Sequence, residues 1–254
     1  MTTGIGECMF IKSNKGYYFW EEFFKLGVVN GFSIRQFGDM SRINPNSYLS
    51  LNKFCKALGI DKKQTVGMEQ VHGDKISFVS EKNLGIVIPD ADGLVSSKSG
   101  VFLMVKSADC VPVLFFDKNK KIFGIVHAGW KGAYKEIVKI MVSEMVAKGS
   151  IPLDIIVGIG PSIRVCCYNI NKEREDMFKN KFTKWQEKIL EKRSNQIFLD
   201  SQALIKLQLK ECGILNANIK DCMICTKDNL DFYSYRRAKN KDSFDRFAGL
   251  IGLK

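Results

Sequence analysis

Three apolar runs dominate the middle of the chain: residues 101–105, 111–116 and 122–126, the last running directly into His127. Their near-continuous apolarity predicts strands covered on both faces, with a turn over residues 117–121. After Trp130 the period changes, and Tyr134, Ile137, Val138, Met141, Val142 and Met145 recur at helical spacing, with Gly149 as the stop. The flanks are less sharply patterned. Residues 28–34 predict a short strand, and Gly38 and residues 44–45 predict turns. Asn46 is positioned to cap a helix reaching Leu58 and ended by Gly59. Residues 71–79 predict extended chain, and DADGLVSS, from Asp90, a turn entering a strand. Beyond the centre, residues 155–157 predict a strand followed by the loop GIGPSI. Asn171 caps a helix carrying Met177 and Phe178, and Asp200 one carrying Ala203, Leu204 and Leu207 that stops near Gly213. Residues 219–224 predict a last strand, and FYSYRRAKNKDSFDRFAG reads as polar, aromatic loop of the kind that edges a site. No Pro, Gly or Ser linker and no fixed repeat divides the chain, so one α/β domain with mixed sheets is expected, its strand order open.

The 254 residues carry 45% hydrophobic and 26% charged side chains, which excludes a disordered protein and supports one large core. The most apolar stretch is broken by Lys106 and Asp109, so no membrane span is expected. The N-terminus lacks a basic start followed by an apolar run, which predicts a cytoplasmic protein with reduced thiols. The net charge of +12 fits solubility and mild attraction for anions. Nucleic-acid binding is disfavoured because no reading element accompanies that charge.

There are two histidines, His72 in EQVHGD and His127 in VHAGWKG, with Cys110 in KSADC between them. Each follows an apolar run, where α/β proteins often place sites. Two imidazoles and a thiolate match a catalytic zinc with one open position. The same residues also fit a cysteine nucleophile with His127 as its base and Asp109, Asp92 or Asp90 as orienter. On the residues alone, a buried Cys110 and two ordinary histidines are the more common case, because the three do not form a local motif. A multicopper centre is disfavoured by count, since two histidines cannot supply its imidazoles. Cys222 and Cys225 form CMIC, read as strand and loop cysteines rather than a redox pair. The adjacent Cys166 and Cys167 cannot easily bridge each other, and at least one is expected to be packed inside. For phosphate, the candidates are Arg236 and Arg237 in YSYRR, Lys131 at a helix start and the amides of GIGPSI.

EQVHGD, DADGLVSS, KSADCVPVLFFD, HAGWKG, GIGPSIRVCCY and the late CT…YSYRR resemble the YfiH/YlmD family. These are laccase-domain or "multicopper polyphenol oxidoreductase" proteins, related to the human enzyme FAMIN. The resemblance implies an α+β fold, a single domain over residues 1–254 layered α/β/β/α with mixed sheets. It implies zinc held by His72, Cys110 and His127, and phosphorolysis of adenosine, inosine, guanosine and methylthioadenosine alongside deamination of adenosine. Purine nucleosides and inorganic phosphate are thus the implied partners, with monomer and homodimer both open. Asp92 and Asp109 are candidate proton carriers. HAGWKG has Lys131 where the family has Arg, MEQVHG has Met68 and Glu69 where TR is common, and DSFDR leaves Arg246 as the equivalent of the arginine in TGR.

Overall fold

The structure, a computed structural model, describes residues 9–41, 44, 46–242 and 244–254. Residues 1–8, where no export signal was read, and Pro45, read as part of a turn, lie outside the described residues.

The central runs form Phe102–Ser107, Val111–Asp117 and Phe123–Ala128. The last two pair antiparallel as a hairpin. Asp117 closes its turn by accepting the amides of Asn119 and Lys120 at 2.8 and 2.9 Å. The hairpin lies inside a six-stranded mixed sheet in the order Ile219–Asp221, Ile155–Ile159, Val111–Asp117, Phe123–Ala128, Gly93–Ser96, Ile76–Phe78. Alternate side chains serve two cores. Val111, Val113 and Phe115 pack with Met141, Val142 and Leu209 of helices Ile137–Ala147 and Ser201–Glu211. Leu114 and Phe116 point the other way, into a core shared with a second sheet. Continuous apolarity therefore has the expected cause, coverage on both faces, here in antiparallel strands.

The second sheet has seven strands in the order Phe10–Lys12, Tyr18–Trp20, Val28–Phe32, Phe247–Leu253, Phe102–Ser107, Thr65–Met68, Val87–Ile88. Helix Ser47–Leu58 covers its outer face through Phe54, Cys55 and Leu58. The result is one α+β domain with mixed sheets between helical layers. No helix among the described residues is long and apolar enough to cross a membrane.

Several expectations change in detail. Of residues 71–79 only Ile76–Phe78 is a strand, because the chain before it is held on a carboxylate described below. The helical stretch after Trp130 breaks into Trp130–Tyr134 and Ile137–Ala147, with Glu136 left-handed at φ 63° between them. The strand from Ile219 ends at Asp221, two residues before Met223 turns the chain at φ 58°. Asn171 and Asp200 cap their helices through the amides of Arg174 and Ala203, whereas the Asn46 side chain makes no capping bond. The pattern also did not show helix Glu21–Lys25, strands Phe10–Lys12, Tyr18–Trp20 and Thr65–Met68, the hairpin Leu190–Arg193/Gln196–Leu199 or the central strand Phe247–Leu253.

Candidate functional site

Along Phe123–Ala128, Phe123 and Ile125 face the core between the sheets. The two-residue repeat of a strand puts His127 on that same face, at the strand's end. There it is 3% exposed. Its Nδ1 lies 2.8 Å from Oδ1 of Asp92, a fully buried carboxylate just before strand Gly93–Ser96. Asp92 also accepts the amides of Val71, His72 and Gly73 at 3.0, 3.1 and 2.7 Å. One carboxylate thus orients one imidazole and carries the loop that presents the other. His72 itself is left-handed at φ 59°, as is Gln70 at 57°. The Gln70 side chain is clamped by a reciprocal amide pair with the Lys106 backbone at 2.7 and 2.9 Å. Such conformations persist where surrounding bonds over-determine them.

Cys110 follows Asp109, whose φ is 97°. Asp109 Oδ1 accepts the Thr226 hydroxyl at 2.6 Å and Oδ2 the Arg236 amide at 2.6 Å. This bond pair ties the turn before Cys110 to the C-terminal loop. Cys110 Sγ then lies 3.9 Å from His72 Nε2, and the His72 and His127 ring centroids are 4.9 Å apart. One ligand atom from each of the three residues lies within 4.8 Å of the others.

A zinc ion fits this donor set. Tetrahedral zinc with nitrogen and sulfur ligands separates its donors by about 3.4–3.7 Å. With Nδ1 on Asp92, His127 Nε2 is the nitrogen left for a metal, the usual carboxylate–imidazole arrangement of such centres. Gly129 supplies a further observation. A Cβ there would stand 2.9 Å from His72 Cδ2 and 3.2 Å from Cys110 Sγ, so a side chain would press into the space where the three donors meet. Without a metal, the electrostatics favour a charged Cys110–His127 pair, whose His127 Nε2 proton a metal would have to displace. Burial alone would raise the Cys110 thiol, yet the charge and hydrogen bonds of His127, with His72, bring it down to about 6. Burial works against a charged His127, yet the Cys110 thiolate and Asp92 raise it to about 9. The site thus favours the thiolate a metal requires.

The three residues stand in the wall of a cavity of about 710 Å³, a size suited to a small organic molecule. Asp109, Arg236 and Arg246 also line it. The Arg236 guanidinium is held by Asn169, through its side chain and carbonyl, and by the Cys167 carbonyl at 3.4 Å. Arg246 lies 4.3 Å from the Phe244 ring centroid. Two of the expected phosphate groups fall elsewhere. Lys131 is exposed over the Trp130 ring, 5.7 Å from its centroid, and does not line the cavity. Arg237 turns away to the carbonyls of Thr226, Lys227 and Phe232, where it braces the loop. Of the GIGPSI loop only Ile163 reaches the cavity. Asp92 lies behind His127 with no exposure, and both oxygens of Asp109, which lines the cavity, accept hydrogen bonds.

Trp130, Tyr168, Arg174, Tyr235 and Phe244 supply most of the flat surface in the cavity. Arg174 stacks on Trp130 with its Cζ 4.2 Å from the ring centroid. Burial pushes the Tyr168 phenol up to about 12, so it remains a neutral hydrogen-bonding group. Tyr168 and Arg174 were missed, because nothing local marks a tyrosine after CC or an arginine in the first turn of a polar helix as facing a site 40 or more residues away.

Residues 46–254 match the family model described as multi-copper polyphenol oxidoreductase laccase. The chain is 32% identical over 203 residues to purine nucleoside phosphorylase YlmD of Bacillus subtilis, covering 76% of this chain and 72% of that one. It is 28% identical over 189 residues to adenosine deaminase RL5 from an unknown prokaryotic organism, covering 71% and 72%. The solved structure of YlmD from Geobacillus stearothermophilus superposes with a TM-score of 0.88 at 25% identity, over 97% of this chain and 99% of that one. With this match in fold and over most of its sequence, the chain belongs to the YfiH/YlmD laccase-domain family.

Proposed function

We propose that the protein is a zinc-dependent purine nucleoside phosphorylase that also deaminates adenosine, acting on adenosine, inosine, guanosine and S-methyl-5′-thioadenosine. The observation that carries this reading is the meeting of His72, Cys110 and His127 in the wall of a cavity lined by aromatic rings and arginines. The similarity to a phosphorylase and to a deaminase supports it. His72, Cys110 and His127 would hold the zinc, which when bound supplies a Lewis acid and makes water a better nucleophile near neutral pH. Asp92 fixes His127 with Nδ1 protonated and sets the height of the His72 loop. Trp130, Tyr168 and Phe244 offer flat faces to a purine. Arg236 and Arg246 face the cavity with fork-shaped donors suited to phosphate. Arg236 is fixed in place by Asn169, which limits the entropy lost on binding an anion.

A second reading has a specific observation behind it. Without metal, Cys110 and His127 form a thiolate–imidazolium pair oriented by Asp92, the arrangement of a cysteine hydrolase. One assay separates the readings. Zinc-loaded protein is incubated with adenosine, with and without inorganic phosphate. The phosphorylase reading expects free adenine only when phosphate is present, and inosine in both reactions. Neither product at any zinc loading would refute it, and acylation of Cys110 by an ester in the metal-free protein would favour the hydrolase.

A further inference from the structure

Three of the cysteines that the site does not use are gathered in one place. Cys166, Cys167, Cys225 and Asp228 each contribute a ligand atom to a second group, all within 4.8 Å of one another. Asp228 Oδ1 and Oδ2 lie 3.2 and 3.3 Å from Cys167 Sγ, and Oδ2 lies 3.5 Å from Cys166 Sγ. Tetrahedral zinc places a thiolate sulfur and a carboxylate oxygen about 3.5 Å apart. Neither Cys166 nor Cys167 is buried, contrary to the expectation that one would be packed inside. They turn instead toward Cys225 and Asp228.

The two segments are about 60 residues apart, yet their backbones are locked together. Ser162 pairs with Cys225 in a parallel bridge, and its carbonyl accepts the Thr226 amide at 3.1 Å. Buried Gln202 holds the other side of Ser162, donating to its hydroxyl at 2.7 Å and to the Ile163 carbonyl at 2.9 Å. The amides of Cys167 and Tyr168 both bond the Arg164 carbonyl at 2.9 Å, which tightens the turn that places two adjacent thiols on one side. The Asn229 amide bonds the Cys225 carbonyl at 2.9 Å and folds Asp228 back over the cluster. The donors are therefore gathered by a rigid scaffold.

We infer that Cys166, Cys167, Cys225 and Asp228 form a second metal site, closed and structural, for a thiophilic divalent ion of the zinc class. Three sulfurs select such an ion over magnesium or calcium, and the carboxylate completes four protein ligands, leaving no open position. Binding releases the thiol protons, so occupancy falls in acid. The site serves the cavity without touching it. Cys167 precedes Tyr168 and gives its carbonyl to Arg236, while Thr226, next to Cys225, donates to Asp109 beside Cys110. An ion here would fix the cavity wall that carries Tyr168 and Arg236.

The test is metal content and thiol accessibility in the full chain, reduced, incubated with excess zinc and desalted. Two zinc ions per chain are expected. The Cys166→Ser/Cys167→Ser variant should keep one, and His72→Ala/Cys110→Ser should also keep one. Cobalt loaded into the latter should show strong thiolate charge-transfer bands, because the remaining site has three sulfurs. In the unmodified chain, zinc should protect Cys166, Cys167 and Cys225 from alkylation, a reading that needs no variant to fold. One zinc per chain that vanishes in His72→Ala/Cys110→Ser, with those cysteines alkylated equally with and without zinc, would overturn the inference. So would a disulfide among them whose reduction creates no zinc site. A zinc that survives the loss of His72 and Cys110 but disappears with Cys166 and Cys167 would support this site and count against the proposed catalytic one, so the two failures are distinguishable.

Discussion

Asp92 is the side chain on which both histidines depend. It has no exposure, binds His127 Nδ1 and accepts three successive amides of the loop carrying His72. Asp92→Asn keeps the shape but replaces one acceptor oxygen with a donor that faces N–H groups. Loss of such an orienting partner typically costs 10–100-fold in metal affinity. Competition with a chelator should show a loss of about that size at the His72 site, with far-UV circular dichroism unchanged. Unchanged affinity would mean the histidines are held by other means. The arginines of the C-terminal segment make a sharper comparison. Arg246 and Arg236 line the cavity, and Arg237 is bound to carbonyls of its own loop. Arg246→Met should lower phosphorolysis of adenosine more than its deamination, because only the first needs phosphate. Arg237→Met should lower the melting temperature and leave the ratio of the two rates at the parent value. A shifted ratio in Arg237→Met would show that the loop, rather than the guanidinium facing the cavity, controls phosphate.

The elements that carry the site join through two devices. At the end of strand Ile219–Asp221, Asp221 binds Arg164 at 2.8 and 3.1 Å and Lys206 at 2.6 Å. Burial alone would raise this carboxyl, yet Arg164 and Lys206 hold it below the usual range. Its folded pKa thus lies below the unfolded value of about 3.9, so the unfolded chain takes up the proton first as pH falls. The stabilisation is complete above the unfolded pKa and is lost as the pH drops through the folded one. Asp221→Asn should cost about 1–3 kcal/mol at neutral pH, because it leaves the partly buried Arg164 and the more exposed Lys206 without their anion. Urea titrations should show its stability falling less between pH 5 and 3 than the parent's. The other device is strand Phe247–Leu253, which pairs Phe247 with Ser107 and so anchors the C-terminal loop beside Asp109 and Cys110. Its glycines hid it in the sequence, since FAGLIGL looks like the tail of a loop. They are needed there, because a Cβ at Gly252 would stand 2.5 Å from both Phe102 Cδ1 and the Val101 carbonyl. Gly252→Val should destabilise by about 1–3 kcal/mol or more through overpacking, measured by thermal unfolding. The central hairpin and the caps at Asn171 and Asp200 were legible because their signals are local. The partners of Asp92 and Asp109, and the pairing of Phe247–Leu253, were not, because each joins segments far apart in the chain.

Taken together, the two sheets bring four separated segments to one end of the fold: the His72 loop, the turn at Cys110, the strand end at His127 and the C-terminal loop. The charge of +12 gives the surface a general attraction for anions. Specific recognition falls to the arginines and rings inside the cavity. The motifs named the three donors, but only folding shows that they open on a cavity large enough for a nucleoside. The most direct measurement is adenine release from adenosine and phosphate as zinc is returned to metal-stripped enzyme. The rate should rise from near zero with added zinc and saturate, and Cys110→Ser should remain inactive at every zinc concentration. Full phosphorolysis by the stripped enzyme, or zinc-restored phosphorolysis in Cys110→Ser, would contradict a metal centre built on His72, Cys110 and His127.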